Sequence, residues 1–303
     1  MRLKHVVESQ QFTVPLLMEL FSRTRQMEKI VARGGTLDYQ NRILATLFYE
    51  PSTRTRFSFE AAMHRLGGRV LSTEQARAFS SEVEGEHLED TIRIISGYSD
   101  VIVLRPAEVG GARRAAEVSQ VPVINAGEGH GGQHPTQALL DLYTIYRERP
   151  LPGLSVAFIG ELDKGRTARS LAYLLAKFDR VKIYFVAPEQ LQIKPDILQY
   201  LERHNVRYEL TSDIEKVIPE VDVIYQTRIR PESGTGIRDR LRYSIDSTVL
   251  QRMRDDAIIL HPLPRTVELD KTVDDDPRAL YFRQATNGLY VRMALLTMLL
   301  DKE

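Results

Sequence analysis

The sequence predicts an α/β protein of two doubly wound domains, each a parallel sheet flanked by helices, linked by interdomain helices. Three observations carry that prediction. Short β-branched or aromatic runs alternate with amphipathic stretches along the chain, the pattern of βαβ units. The length of 303 residues corresponds to about two domains at roughly 150 residues each. A Pro/Gly-rich break, Arg149-Pro150-Leu151-Pro152-Gly153, falls near the middle. The predicted domains are 1–148 and 149–286. A strongly apolar last helix, 287–303, docks back on the first.

The elements follow in order. Apolar residues at helical spacing predict helices over Val14–Ala32, Thr55–Arg65, His87–Gly97, Pro135–Arg147, Thr167–Phe178 and Pro195–His204. The helix at Pro195 opens with proline, which is tolerated at a first helical position. Strands are predicted at Ile43–Tyr49, Val101–Leu104, Val121–Asn125, Ser155–Gly160, Val181–Val186, Val221–Tyr225 and Ala257–Leu260. Each is short, and most are bounded by Gly, Pro or Asp. Arg77–Glu89 has few apolar residues and several acids and reads as a mobile loop. Arg230–Arg242 is Pro/Gly/Ser-rich and charged and reads as a second. The last helix is expected near Asn287–Asp301.

Lys+Arg and Asp+Glu are both 41, so the formal charge is zero. That balance argues against nucleic acid or an anionic membrane as partner, because both need a positive excess. No apolar run reaches the ~18 residues of a membrane span, and the N-terminus does not read as a signal peptide. There are no cysteines, which excludes disulfides and thiolate chemistry and fits a cytoplasmic location. The seven histidines show no metal spacing, so no metal is expected. Within the zero, 32 arginines stand against nine lysines, and no lysine occurs between Lys29 and Lys164. Arginine is a forked, fixed charge suited to phosphate and carboxylate.

Five segments are candidate sites. Tyr49-Glu50-Pro51-Ser52-Thr53-Arg54-Thr55-Arg56 runs from a strand into a helix; free N–H groups, hydroxyls and two arginines there make an anion site. A plain N-cap at Ser52 or Thr53 is the simpler alternative. Asn125–Gln137 contains GxGxxG (Gly127, Gly129, Gly132) but no acid at the dinucleotide-binding distance. It reads equally as a loop delivering His134 and Gln137. Gly165-Arg166-Thr167 and Gln226-Thr227-Arg228-Ile229-Arg230 put arginines at strand ends, where open α/β sheets bind ligands. For each alone a surface salt bridge is the simpler alternative. His261-Pro262-Leu263-Pro264-Arg265 is a rigid loop able to present backbone carbonyls, or an ordinary turn.

Taken together, these segments, with Ser58-Phe59-Glu60, Tyr281-Phe282-Arg283-Gln284-Ala285 and Asn287-Gly288, resemble the aspartate/ornithine carbamoyltransferases along essentially the whole chain. The likeness is to the aspartate carbamoyltransferase catalytic chains, since the ornithine enzymes carry a cysteine in the loop matching His261–Arg265. The resemblance implies a cytoplasmic homotrimer of two-domain chains. It transfers a carbamoyl group from carbamoyl phosphate to L-aspartate, an early pyrimidine step, without cofactor. It implies that Ser52, Thr53, Arg54 and Thr55 hold the phosphate. Thr55, Arg105 and His134 polarise the carbamoyl oxygen. Gln137 and the Leu263 and Pro264 backbone fix the carbamoyl amide, and Arg166 and Arg228 take the aspartate carboxylates. Glu50 orients arginines of the second domain.

Two positions depart from the family's pattern. The loop expected to read Ser-Ser-x-x-Lys-Gly-Glu, reaching into the neighbouring subunit's site, begins at Ser80 and has Glu84 at the lysine. An anion replacing a cation ~4 Å from phosphate changes the interaction by about 4 kcal/mol per term at an effective dielectric of ~20. Arg230 stands where the aspartate-contacting glutamine belongs. Three readings follow: an aspartate carbamoyltransferase with a rebuilt loop, a carbamoyltransferase for another amine, or a weakly active homologue with a structural role in a pyrimidine-pathway assembly. Glu84 and Arg230 have opposite charges and are expected to be able to pair between subunits.

Overall fold

The computed structural model describes residues 3–74 and 86–301. Contacts divide the chain into two units, 1–139 with 286–303, and 140–285. The first contains α1 (Val14–Ala32), β1 (Ile43–Phe48), α2 (Thr53–Arg65), β2 (Arg69–Glu74), α3 (Leu88–Ser96), β3 (Val101–Arg105), α4 (Gly111–Val118) and β4 (Val123–Asn125). Helix α5 (Pro135–Glu148) contains the division. The second unit has β5 (Ser155–Ile159), α6 (Arg166–Leu175), β6 (Lys182–Val186), α7 (Pro195–Arg203), β7 (Arg207–Thr211), α8 (Ile214–Val217), β8 (Val223–Gln226), α9 (Ile237–Leu241), α10 (Ser247–Leu250) and β9 (Ile258–Leu260). The long helix α11 (Tyr281–Leu300) also contains a division, its residues from Thr286 on belonging to the first unit.

Both sheets are parallel, in the orders β2-β1-β3-β4 and β7-β6-β5-β8-β9. Each order reverses once, between β1 and β3 and between β5 and β8. Such reversals open a crevice at the carboxyl ends of the strands, because the loops on either side run off in opposite directions. In the first unit Ala45, Leu47, Ile102 and Leu104 project to one face and pack with Ile92 and Ala115. The alternation has period two, as a sheet covered by helices requires. In the second, Ala157, Ile159, Tyr184, Val186, Ile224 and Ile259 form the corresponding layer with Ile214 and Val217. A large aliphatic side chain fully buried in such a layer contributes about 1.5–3 kcal/mol.

Several expectations need correction. Two strands went unpredicted, β2 and β7. Both are edge strands, partly exposed and rich in polar residues (RVLSTE, RYELT), so neither has the apolar signature of a central strand. Helix α4 was unpredicted: its eight residues include only a short apolar stripe, Ala112 and Ala115 being its buried alanines. Helix α11 starts at Tyr281, several residues before Asn287, because polar Arg283 and Gln284 interrupt the apolar pattern of its first turns. Within Arg230–Arg242 lies helix α9, so that segment is not wholly loop. Residues 77–85, in the other expected loop, fall outside the described residues.

Candidate active site

In the first unit the crevice lies between β1 and β3, whose ends Phe48 and Arg105 are paired. The chain leaves β1 through Tyr49-Glu50-Pro51 and enters α2 at Ser52. Thr55, Phe59, Ala62 and Met63 are its buried residues, a helical spacing that seats α2 on the sheet. Its first helical bond runs from Arg56 N–H to the Ser52 carbonyl, at 3.0 Å. The N–H groups of its first turn therefore have no partner inside the helix. Ser52 stands at the N-cap position but its side chain makes no capping bond. The plain-cap alternative is therefore not what the structure adopts.

The two arginines of this segment differ. Arg56 is tied down: its Nη2 lies 3.2 Å from Glu74 and its Nε 3.7 Å from Glu60. Arg54 is exposed at the first turn. Glu60 also accepts from Thr46, at 3.1 Å, and from Ser72, at 2.5 Å, so strand, helix and edge strand share one carboxylate.

Arg105, at the end of β3, is buried, with 6% exposure. Its Nη1 donates to the Ala126 carbonyl at 3.1 Å and its Nη2 lies 3.4 Å from Glu50. The resemblance assigns Glu50 to arginines of the second domain; in this structure Glu50 holds an arginine of its own unit. His134 is also buried. Its Nδ1 faces the Gln137 N–H at 3.4 Å, which assigns the proton to Nε2 and makes that atom a donor. Gly127 brings the two together: at φ +100°, a Cβ there would stand 2.8 Å from the His134 ring and 2.9 Å from Arg105 Nη1. Thr55, Arg105, His134 and Gln137 thus sit on β1, β3 and β4 connections at one end of the first sheet.

In the second unit the crevice lies between β5 and β8. Gly160 follows β5 with φ +123°, and a Cβ there would lie 2.3 Å from the Thr227 carbonyl. Thr227 in turn donates to the Ile159 carbonyl through N–H (2.7 Å) and hydroxyl (2.8 Å). This contact joins the loop bearing Arg166, the first residue of α6, to the loop bearing Arg228 and Arg230. Arg230 is held by Glu161, which has 4% exposure. Glu161 accepts from the Arg230 backbone N–H at 3.0 Å, from Nε at 3.3 Å and from Nη2 at 2.9 Å. The partner described for Arg230 is therefore a carboxylate of its own unit; Glu84, expected opposite it, and Ser80 lie outside the described residues.

After β9, His261 is buried and Leu263 adopts left-handed φ, 54°. Nδ1 of His261 accepts the Leu263 N–H at 2.8 Å, and Nε2 lies 3.0 Å from Glu268. Burial, with Arg265 and Arg228 nearby, pushes His261 below its ordinary pKa. Burial raises Glu268, but donors from His261 and Thr266 outweigh it and hold the carboxyl at about 2. Arg265 is occupied by Asp274 (2.6 Å) and Tyr281 (3.3 Å). Sequence reading left out the spacer roles of Gly127 and Gly160, and the supports Glu161, Glu268 and Glu74. Glycine and acid are common enough that only spatial neighbours distinguish these. Among the described residues no group of three or more His, Asp or Glu is arranged to hold a metal.

Family models match nearly the whole chain. A model described as aspartate/ornithine carbamoyltransferase, carbamoyl-P binding domain, matches residues 4–147. One described as the Asp/Orn binding domain of the same family matches 152–299. The chloroplastic aspartate carbamoyltransferase of Oryza sativa subsp. japonica is 53% identical over 99% of this chain and 86% of its own. The aspartate carbamoyltransferase catalytic subunit of Methanopyrus kandleri is 46% identical, covering 98% of this chain and 97% of its own. The catalytic subunit of M. jannaschii aspartate transcarbamoylase superposes with a TM-score of 0.90 at 44% identity, over 98% of each chain. The Trypanosoma cruzi aspartate transcarbamoylase in complex with N-(phosphonacetyl)-L-aspartic acid gives 0.93 at 38% identity, over 98% of this chain and 96% of that one.

Proposed function

This chain belongs to the aspartate/ornithine carbamoyltransferase family, and from that premise we propose that it carbamoylates L-aspartate. The carbamoyl group comes from carbamoyl phosphate, and the products are N-carbamoyl-L-aspartate and phosphate, an early step of pyrimidine biosynthesis. The observation that carries the reading is the pair of switch-point crevices, each furnished with arginine: Arg54 and Arg105 in the first unit, Arg166 and Arg228 in the second. Two small anions must be gathered, and fixed guanidinium forks suit phosphate and carboxylate.

In the reaction the aspartate amine forms a C–N bond to the carbamoyl carbon, the C–O bond to phosphate breaks, and the proton that the nitrogen loses passes to the departing phosphate. Negative charge grows on the carbamoyl oxygen and on the departing phosphate. Thr55, Arg105 and the Nε2–H of His134 serve the oxygen. The first turn of α2, with Ser52, Thr53, Arg54 and Thr55, serves the phosphate. Gln137 and the Leu263 and Pro264 carbonyls orient the carbamoyl amide, Arg166 and Arg228 bind the aspartate carboxylates, and Arg230, neutralised by Glu161, completes that pocket. Donors held in place before the reaction cost no reorganisation when charge develops. No cofactor enters the scheme.

The assembly we propose is a homotrimer, as the resemblance implies. Leu37, Phe57 and Leu71, all of the first unit, are exposed apolar side chains that a subunit contact would cover. We further propose a cytoplasmic location; among the described residues no helix is long and apolar enough to cross a membrane. The decisive assay mixes purified protein with carbamoyl phosphate and aspartate and measures carbamoyl-aspartate. Turnover in the ordinary enzymatic range, roughly 1–10³ per second, is expected. Product only with a different amine, or none despite bound carbamoyl phosphate, overturns the reading. Sedimentation at three times the 34.6 kDa chain mass tests the trimer.

A further inference from the structure

The loop after β9 is a poor candidate for self-organisation. Leu263 is only half-buried and Pro264 is exposed, so little apolar burial holds them. Leu263 is also a non-glycine residue in the left-handed region, which it occupies only when its surroundings demand it. Those surroundings are polar and buried. The Leu263 N–H donates to His261 Nδ1 at 2.8 Å. That bond makes Nδ1 the acceptor and leaves the proton on Nε2, which reaches Glu268 Oε1 at 3.0 Å. Glu268, with 2% exposure, also accepts the Thr266 N–H at 3.0 Å and the Thr266 hydroxyl at 2.5 Å. Behind His261 the arrangement continues. Its backbone N–H donates to Gln284 Oε1 at 2.9 Å, and Gln284 Nε2 donates to Asp141 at 2.6 Å. The other Asp141 oxygen takes the Tyr225 hydroxyl at 2.6 Å.

We infer that Glu268 is a positioning residue: through His261 it sets the Leu263 and Pro264 carbonyls at the spacing that receives the carbamoyl amide. The inference rests on the carbamoyl phosphate reading above. Glu268 touches no substrate. Its part is to hold one imidazole tautomer and one ring orientation, because a ring with a free Nε2–H can turn and release the Leu263 N–H. The charged groups facing His261 are Glu268, Arg265 and Arg228. Burial first, and then the two arginines, disfavour a second proton on the ring against the pull of Glu268, and the Nδ1 acceptor role requires that neutral ring.

The test compares wild type, Glu268→Gln and Glu268→Leu by calorimetric binding of carbamoyl phosphate and, separately, of inorganic phosphate. Inorganic phosphate has no amide, so a general loss of structure weakens both ligands, whereas misplaced carbonyls weaken only carbamoyl phosphate. Glu268→Leu is expected to weaken carbamoyl phosphate by about tenfold, the typical effect of stranding one buried donor, and to leave phosphate within about twofold. Glu268→Gln keeps an acceptor for Nε2–H and is expected to restore binding to within about threefold of wild type. Equal carbamoyl phosphate affinity in folded Glu268→Leu and wild type overturns the inference, as does a parallel loss of both ligands. Should Glu268→Leu fail to fold, Glu268→Asp, whose shorter reach breaks the same contact, is read by the same criteria. A wild type that binds no carbamoyl phosphate overturns the proposed function and this inference together. A wild type that binds it beside an unaffected variant overturns the inference alone.

Discussion

At the scale of single residues, the fold gives side chains of the same type different surroundings. Arg54 and Arg56 are two positions apart in sequence, yet Arg56 is committed to Glu60 and Glu74. Arg105 is aimed by Glu50 and the Ala126 carbonyl. On the proposed mechanism, replacing Arg105 with Ala removes a fixed donor for the developing oxyanion, and kcat is expected to fall about 10²–10³-fold; steady-state assays of the folded variant check this. Arg230 gives a second prediction. Arg230→Gln leaves the buried Glu161 carboxylate short of its charged partner and should destabilise the protein by about 1–3 kcal/mol. Glu161→Gln added to it should recover part of that loss, because the stranded charge is gone. Denaturant unfolding of the two single variants and the double variant reads the coupling; strict additivity would contradict it. The candidate ligands were legible as residues: serine, threonine and arginine after a strand mark an anion site. Glu161 was not, because an acid becomes a guanidinium support only when the fold brings β5 and β8 ends together.

At the scale of elements, the loops at strand ends depend on close backbone approach. Gly160→Ala places a Cβ 2.3 Å from the Thr227 carbonyl at a φ of +123°. The expected result is a loss of about 1–3 kcal/mol of stability and weaker aspartate binding, since the Arg228 segment must move. Thermal melts and aspartate KM measure both; an unchanged KM would show that the segment tolerates the shift. The loop after β9 carries a pH signature. His261 titrates below its ordinary 6.5 in the folded chain, so the unfolded chain binds its proton first, and this contribution to stability is lost as pH falls below 6.5. Glu268 is held at about 2 against an ordinary 4.5, so its contribution is present above 4.5 and lost as pH falls toward 2. Both act in one direction. The urea midpoint should therefore be lower at pH ~5 than at pH ~7.5, with a smaller difference in His261→Asn. Central strands were legible because burial on both faces demands apolar residues. Edge strands β2 and β7 and the first turns of α11 were not, because partial exposure admits polar ones.

At the scale of the whole molecule, two parallel sheets each reverse direction once, and each reversal carries its own set of arginines. A ligand that binds only the folded chain raises stability by mass action, by about 2.7 kcal/mol at one hundred times its Kd. N-(phosphonacetyl)-L-aspartate, the compound bound by the Trypanosoma cruzi neighbour, is expected to raise the melting temperature more than inorganic phosphate does at the same concentration. No added shift over phosphate alone would count against an aspartate pocket. The sequence by itself determined the α/β class, the family and which strand-end segments carry arginine, because hydrophobic period and motif order are local properties of the chain. Tertiary structure decided which acids serve as supports, which glycines are obligatory spacers and how His261 holds its loop. Those facts depend on groups distant in sequence meeting at hydrogen-bond distance, where a buried polar atom must find its partner or lose the fold's stability.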